Sequence, residues 1–429
     1  MLGRAAAFVA NHEFWLLWIY GLPLLLASSL PPILFAAAIG TIPLFWLARR
    51  MAGGRWSRAT PLDLPIVLLL GMGAVGVAVS AERETSLVTF GQLLGGVALF
   101  YGVVNGVFVR NRTSDWGVAR EVRSAREVRR AVWLVILLGA GMGLLGALGL
   151  RYSEKFFSIP QLLSIVPHLD FPFFNPSGFT PNIVAGAVAP VIPLCWAAAA
   201  SRAEAVSWKA RGALLVLSLL LGAVVVLTQS RGAVLGLGAA LVVLIFWRAP
   251  RAIWLAPVGV VCAVVAFDWL GAASAANFFL SDEVSAKANG RLELWNRALS
   301  MLQDFPFTGI GLGRFPEMLF RFYPVFVNSM TAPLPHAHNL YLQMGVDYGV
   351  PGLVAFLGLV TSALGVGIVA LYRTREMTQG WVAAGVLAGY VVYLTHGLVD
   401  AVAVSTKVSV VVWFLLAVMV LLFARDENR

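Results

Sequence analysis

Residues 210–247 read ARGALLVLSLLLGAVVVL, then TQSR, then GAVLGLGAALVVLIFW. Two apolar runs thus flank a short polar turn, Thr228-Gln229-Ser230-Arg231. Each run approaches the ~20 apolar residues that a helix needs to cross the hydrocarbon layer. In lipid the backbone N–H and C=O groups find partners only within a helix or a closed barrel. The stretch therefore predicts two membrane-spanning helices joined by a tight turn, and working outward the same pattern recurs along the whole chain.

Of the 429 residues, 59% are hydrophobic and 12% are charged, against roughly 25% charged in a soluble domain. Apolar runs predict twelve spans, at about 14–29, 31–47, 62–79, 86–109, 131–150, 182–200, 210–227, 232–247, 252–270, 351–372, 381–399 and 406–424. The fold expected is all-α: a polytopic membrane protein with a large outer loop containing amphipathic helices. Residues 1–270 would hold nine spans, short loops and an outer segment near 151–181. Residues 271–350 would form the large outer loop, and 351–429 the last three spans. The first apolar stretch lacks a small-residue cleavage site and reads as a retained span.

Orientation follows from the loop cations. With the N-terminus inside, the inner side takes Arg4, Arg49, Arg50, Arg55, Arg58, the arginines from Arg110 to Arg130, Arg202, Lys209, Arg211, Arg248, Arg251, Arg373, Arg375, Arg425 and Arg429. That is about two thirds of the 31 Lys and Arg. Both termini are therefore expected in the cytoplasm. The net charge of +10 then reflects topology and not a nucleic-acid partner. The 110–130 run reads as a short solvated or interfacial helix.

The polar chemistry gathers outside. The long outer loop ends in Leu334-Pro-His336-Ala-His338-Asn339 and contains Lys287, Arg291, Arg297, Arg314 and Arg321. Leu292, Trp295, Leu299 and Leu302 recur at helical spacing and share one face, as in helices that lie on a membrane surface and roof a cavity. A second amphipathic piece is expected from Pro316 to Tyr323. Between them Gly309-Ile-Gly311-Leu-Gly313 follows no strand, so it reads as a hinge and not a dinucleotide loop. Neutral imidazole suits a base near neutral pH, although a lone outer-loop histidine is more often structural. Arg231 opens a helix, where a cation opposes the macrodipole. It is either an anion ligand or an arginine snorkelling to the interface. Asp400 ends the eleventh span on the same side. It orients a catalytic group, pairs with Lys407 or is a solvated end.

Several classes are disfavoured. No phosphate-binding Gly-x-x-x-x-Gly-Lys-Ser/Thr loop occurs, which argues against ATP-driven transport by this chain. Cys195 and Cys262 fall within predicted spans as packing residues. The outer loop is short of ligands for zinc, and no Asp-x-Asp occurs, so no metal or other cofactor is expected. An anion transporter remains a rival. It would place charges or broken helices at mid-membrane, whereas these spans are nearly free of charge.

Ser230-Arg231-Gly232, Arg291 with Trp295, Pro306 with Gly309-Ile-Gly311-Leu-Gly313, and His338-Asn339 followed after nine residues by Gly349-Val-Pro-Gly352 together resemble the O-antigen ligase family. The wider group includes O-antigen polymerases and protein O-oligosaccharyltransferases. The motifs span about residues 170–400, and the histidine–asparagine–glycine element is the most specific of them. Relatives often read Asn-Pro-Asn before span six. Here Thr180-Pro181-Asn182 keeps only the second asparagine, as Asn182.

The resemblance implies a glycosyltransferase of a bacterial inner membrane, with its site facing the periplasm. It would move a glycan from undecaprenyl diphosphate to a sugar hydroxyl of lipid A–core, without ATP or metal and with inversion. His338 would be the base, and Arg231 and Arg291 the diphosphate ligands. Arg314, Arg321, Asn339, Asp400, Asn182 and His336 are secondary candidates. Partners expected are the two lipid-linked substrates and membrane lipids, with the chain a monomer and no nucleic acid.

Overall fold

The computed structural model describes residues 3–10, 12, 13, 16, 32–54, 56–109, 118–150, 169, 179–202, 206–255, 282–325, 334–375, 377, 379–402 and 404–424. The helices that build the fold are α1 (Pro32–Gly53), α2 (Asp63–Val79), α3 (Arg83–Val109), α4 (Val118–Gly149), α5 (Pro181–Val188), α6 (Ile192–Ala200), α7 (Trp208–Thr228), α8 (Arg231–Arg248), α9 (Asp282–Asp304), α10 (Phe315–Phe322), α11 (Leu340–Thr374), α12 (Gly380–His396) and α13 (Val410–Phe423). Among the described residues there is no strand, and the sole bridge joins Leu150 to Phe179.

Among the described residues, seven helical segments are long and apolar enough to cross a membrane, and α2, α12 and α13 are shorter apolar helices. All of them fall where spans were expected. The expected spans at 14–29 and 252–270 lie outside the described residues, apart from Leu16 and the 3-10 turn Pro250–Leu255, as does Cys262.

Packing separates the inner helices from the lipid-facing ones. In α13 every residue from Val410 to Leu422 is buried, as an all-apolar helix requires when its neighbours surround it. Trp413 on α13 donates its indole N–H to Val404 O at 3.0 Å, so its polar edge is satisfied in the core. By contrast α7 exposes Leu215, Val216, Leu219 and Leu220, and α8 exposes Val234, Leu235, Leu241 and Val242. These apolar stripes match a lipid environment, where burial against protein is not needed.

Two elements differ from expectation. The basic run from Val118 onward joins its span, since α4 is a single helix from Val118 to Gly149, while residues 110–117 lie outside the described residues. The span at 182–200 is broken into α5, a 3-10 turn at Ala189–Val191 and α6. Pro190 and Pro193 there lack the N–H that would continue the helical ladder. In α9 the buried side is Leu294, Ala298 and Met301, packed with Ile310, Phe315, Leu319, Ala337 and Val346. Leu292 and Leu299, on the face read as lying on a membrane surface, are exposed. Both sets have helical spacing, and the smaller side chain Ala298 lets α9 approach its neighbours closely.

The glycine-rich segment is a packed wedge and not a hinge. Ile310 N donates to Val346 O at 2.9 Å, and Val350 N donates to Pro306 O at 2.7 Å. Leu312 is fully buried. Gly309 has φ +67°, and a Cβ there would lie 2.5 Å from Val346 O. The wedge enters at a kink in α11, where Gly349 takes φ 71° and ψ −179°. A Cβ on Gly349 would lie 2.7 Å from the Phe307 carbonyl carbon and oxygen. Both glycines are therefore required by conformation and by space.

Candidate active site

Asn339 fixes one side of the site. Its side chain accepts from Leu342 N at 3.0 Å, capping α11, and donates to Leu398 O at 3.0 Å. Leu340 N donates to Gly397 O at 2.7 Å, and Tyr341 Oη donates to Leu394 O at 3.3 Å. The start of α11 is thus tied to the turn that follows α12. Upstream, Ala337 N donates to Gln343 Oε1 at 2.8 Å. His338 sits between these anchors with φ +49°, a left-handed conformation uncommon outside glycine and asparagine. Held strain of this kind gathers at functional sites.

The tie brings Asp400 under the histidines. Asp400 Oδ1 lies 3.4 Å from His338 Nδ1 and 3.5 Å from His336 Nε2. The two rings meet edge to face, with centroids 4.4 Å apart. Asp400 is 3% exposed, which removes the solvated-end reading; its Oδ1 also accepts from Ala401 N at 2.7 Å. Burial alone would push Asp400 up. The hydrogen bond from His338 and the fields of His336, His338 and His396 reverse that and hold its carboxyl below the usual range. It is therefore an anion at neutral pH. Burial pushes His336 down to about 4, with help from His338, His396 and Arg291 and against Asp400. It is therefore neutral.

A hydrogen bond sets the tautomer of His336, and the facing carboxylate that of His338. His338 N donates to His336 Nδ1 at 3.2 Å, so Nδ1 carries the lone pair and Nε2 carries the proton that faces Asp400. On His338 it is Nδ1 that faces the carboxylate, so Nδ1 carries the proton and Nε2 is left with the lone pair. An aspartate behind an imidazole in this manner sets its tautomer and supports positive charge on the ring.

His336, His338 and Asp400 offer ligand atoms within 4.8 Å of one another, a set that could hold a metal ion. Two features argue for proton chemistry instead. A metal on His336 Nε2 would force the proton onto Nδ1 and break the bond from His338 N. Arg291, whose field reaches His336, would also repel a cation.

The arginines divide into two groups. α7 ends at Gln229 in the left-handed conformation, with φ 51°, and the chain turns straight into α8 at Arg231. The fields of Arg231 and Arg291 reach each other, and Arg291 reaches both His336 and His396. These two cations thus stand with the histidine–aspartate cluster. Arg314, only 5% exposed, pairs with Glu82 and Glu317. Arg321 is exposed and pairs with Glu317 at 3.1 Å. Carboxylates already engage both of these secondary candidates.

Asn182 lies in the first turn of α5, one turn ahead of Gly186, where a Cβ would lie 3.2 Å from the His396 ring. That places it on the helix face toward the same cluster. His396 itself was not singled out from sequence. Its i, i+4 spacing from Asp400 and the small residues Gly186 and Gly232 that surround it are the signals that mark it.

Residues 216–357 match a family model described as O-antigen ligase. The matched segment, about a third of the chain, is similar to the O-antigen ligase family. The family is of the ligase and polymerase type. Its matched segment contains Arg231, Arg291, Arg314, Arg321, His336, His338, Asn339 and the Gly349 kink, whereas Asn182, His396 and Asp400 lie outside it. No curated protein matches the chain.

Proposed function

We propose that the protein is an O-antigen ligase: it transfers a glycan from undecaprenyl diphosphate to a sugar hydroxyl of lipid A–core, at the periplasmic face of a bacterial inner membrane. The observation that carries this reading is the juxtaposition of the His338–Asp400 pair with Arg231 and Arg291. A base that can take a proton stands beside cations that can hold a polyanionic leaving group.

His338 Nε2 takes the proton of the acceptor hydroxyl as its oxygen attacks the anomeric carbon. The bond from that carbon to the diphosphate oxygen breaks, and the electron pair leaves with the diphosphate. Arg231 and Arg291 stabilise the charge that develops there, with the planar geometry suited to phosphate oxygens. Asp400 stabilises the imidazolium that forms. Attack opposite the leaving group inverts the anomeric centre. The donor arrives activated, so neither ATP nor metal enters the step. We place twelve spans around this site, with both termini cytoplasmic and residues 271–350 outside, and we take the working unit to be a monomer.

Reconstitution tests the reading. Purified protein is given lipid-linked glycan with either lipid A–core or a second lipid-linked glycan. Glycan on lipid A–core supports ligation. Lengthening of the second lipid-linked glycan alone makes the protein a polymerase, and solute uptake without either product makes it a transporter.

A further inference from the structure

His396 closes α12 with 2% of its surface exposed, and the mechanism above does not use it. Three features converge on its ring. Ser230, the residue that caps α8, makes no side-chain bond to its own helix. Its Oγ instead lies 3.4 Å from His396 Nε2. A serine in this position ordinarily satisfies a free helical N–H, so the hydroxyl has been diverted. The second feature is the pair of glycines. A Cβ on Gly232 would come 3.2 Å from His396 Cδ2, and one on Gly186 would come 3.2 Å from His396 Cε1. The ring takes up this space together with Val399 at Gly232 and Val402 at Gly186, whose Cγ2 atoms come closer still, at 2.5 and 2.6 Å. Third, the His396 carbonyl accepts from Asp400 N at 3.1 Å, so the same residue seats the carboxylate behind His338.

We propose that His396 is a positioning residue that locks the Ser230-Arg231-Gly232 turn to the Asp400 turn, setting the diphosphate-binding arginine in register with the base. The inference rests on the reading of Arg231 as a diphosphate ligand. It accounts for both flanking residues of that turn: serine to meet the imidazole, and glycine to admit it together with Val399. His396 makes no contact with substrate in this scheme and acts through Arg231 and Asp400.

A binding cycle tests it. Full-length protein in nanodiscs is titrated with undecaprenyl diphosphate as wild type, Arg231→Ala, His396→Gln and the double variant, with Tm recorded for each. Glutamine keeps a polar group of similar reach, so the fold is retained. The expected result is that His396→Gln weakens binding about tenfold alone and adds almost nothing to Arg231→Ala, since residues acting as one unit are not additive. Equal weakening in both backgrounds, or none in either, overturns the inference while leaving the arginine reading intact. If Arg231→Ala itself leaves binding unchanged, the arginine reading fails and this inference fails with it. Should His396→Gln not fold, Ser230→Ala takes its place in the same cycle, with the same outcomes deciding.

Discussion

Asp400 Oδ1 lies 3.4 Å from His338 Nδ1, across a junction where the start of α11 is fastened to the end of α12. The contact gives the two ring nitrogens distinct roles, with Nδ1–H facing the carboxylate and Nε2 free to accept. Replacing Asp400 with Asn keeps the shape and removes the charge that supports the imidazolium. The expected loss in kcat is on the order of 10²–10⁴-fold, with donor KM little changed. Steady-state kinetics of the reconstituted enzyme check this.

Arg231 and Arg291 are expected to need their guanidinium geometry as well as their charge. Lysine keeps the charge but loses the planar fork that engages two phosphate oxygens. Arg231→Lys and Arg291→Lys should each lower kcat/KM about tenfold or more while leaving protein levels in the membrane unchanged. Full activity in both would remove the diphosphate role.

Arg314 should behave otherwise. It is buried between Glu82 and Glu317, next to the wedge at Gly309–Gly313, so it joins α10 to the start of α3. Arg314→Met should lower Tm, since Glu82 and the half-buried Glu317 lose the buried cation they share and Glu317 keeps only the exposed Arg321. The transfer rate per folded molecule should hold. Thermal unfolding and activity measured on the same sample separate the two effects.

The buried neutral His336 adds a pH dependence. Its folded value of about 4 lies below the ordinary 6.5, so between those values the unfolded chain binds more protons. The stability this gives is full above pH 6.5 and is lost as pH falls toward 4, by roughly 3 kcal/mol at most. His336→Gln should flatten that part of the stability curve. Unfolding measured from pH 4 to 8 in both proteins gives the comparison.

The helices and His338 were legible because both are local signals. Apolar runs mark spans at once, and the His338-Asn339 to Gly349 spacing is now seen as a cap, a stretch of helix and a kink. What was not legible is tertiary. Asp400 had three open readings, because only the ties from Asn339 and Leu340 to Leu398 and Gly397 bring it under His338. α9 carries apolar residues on two faces, and sequence could not tell which one Phe315 and Val346 would cover. The glycine segment read as a hinge because glycine also serves where backbones meet, as Gly309 does against Val346. Arg314 resembled Arg291 in sequence until its carboxylate partners appeared.

The most direct test of the account is transfer of glycan from undecaprenyl diphosphate to lipid A–core by His338→Ala, compared with wild type at equal membrane levels. Loss of the general base should lower the rate by ~10²–10⁴-fold, while binding of undecaprenyl diphosphate stays within about twofold. Wild-type transfer by His338→Ala would contradict the account.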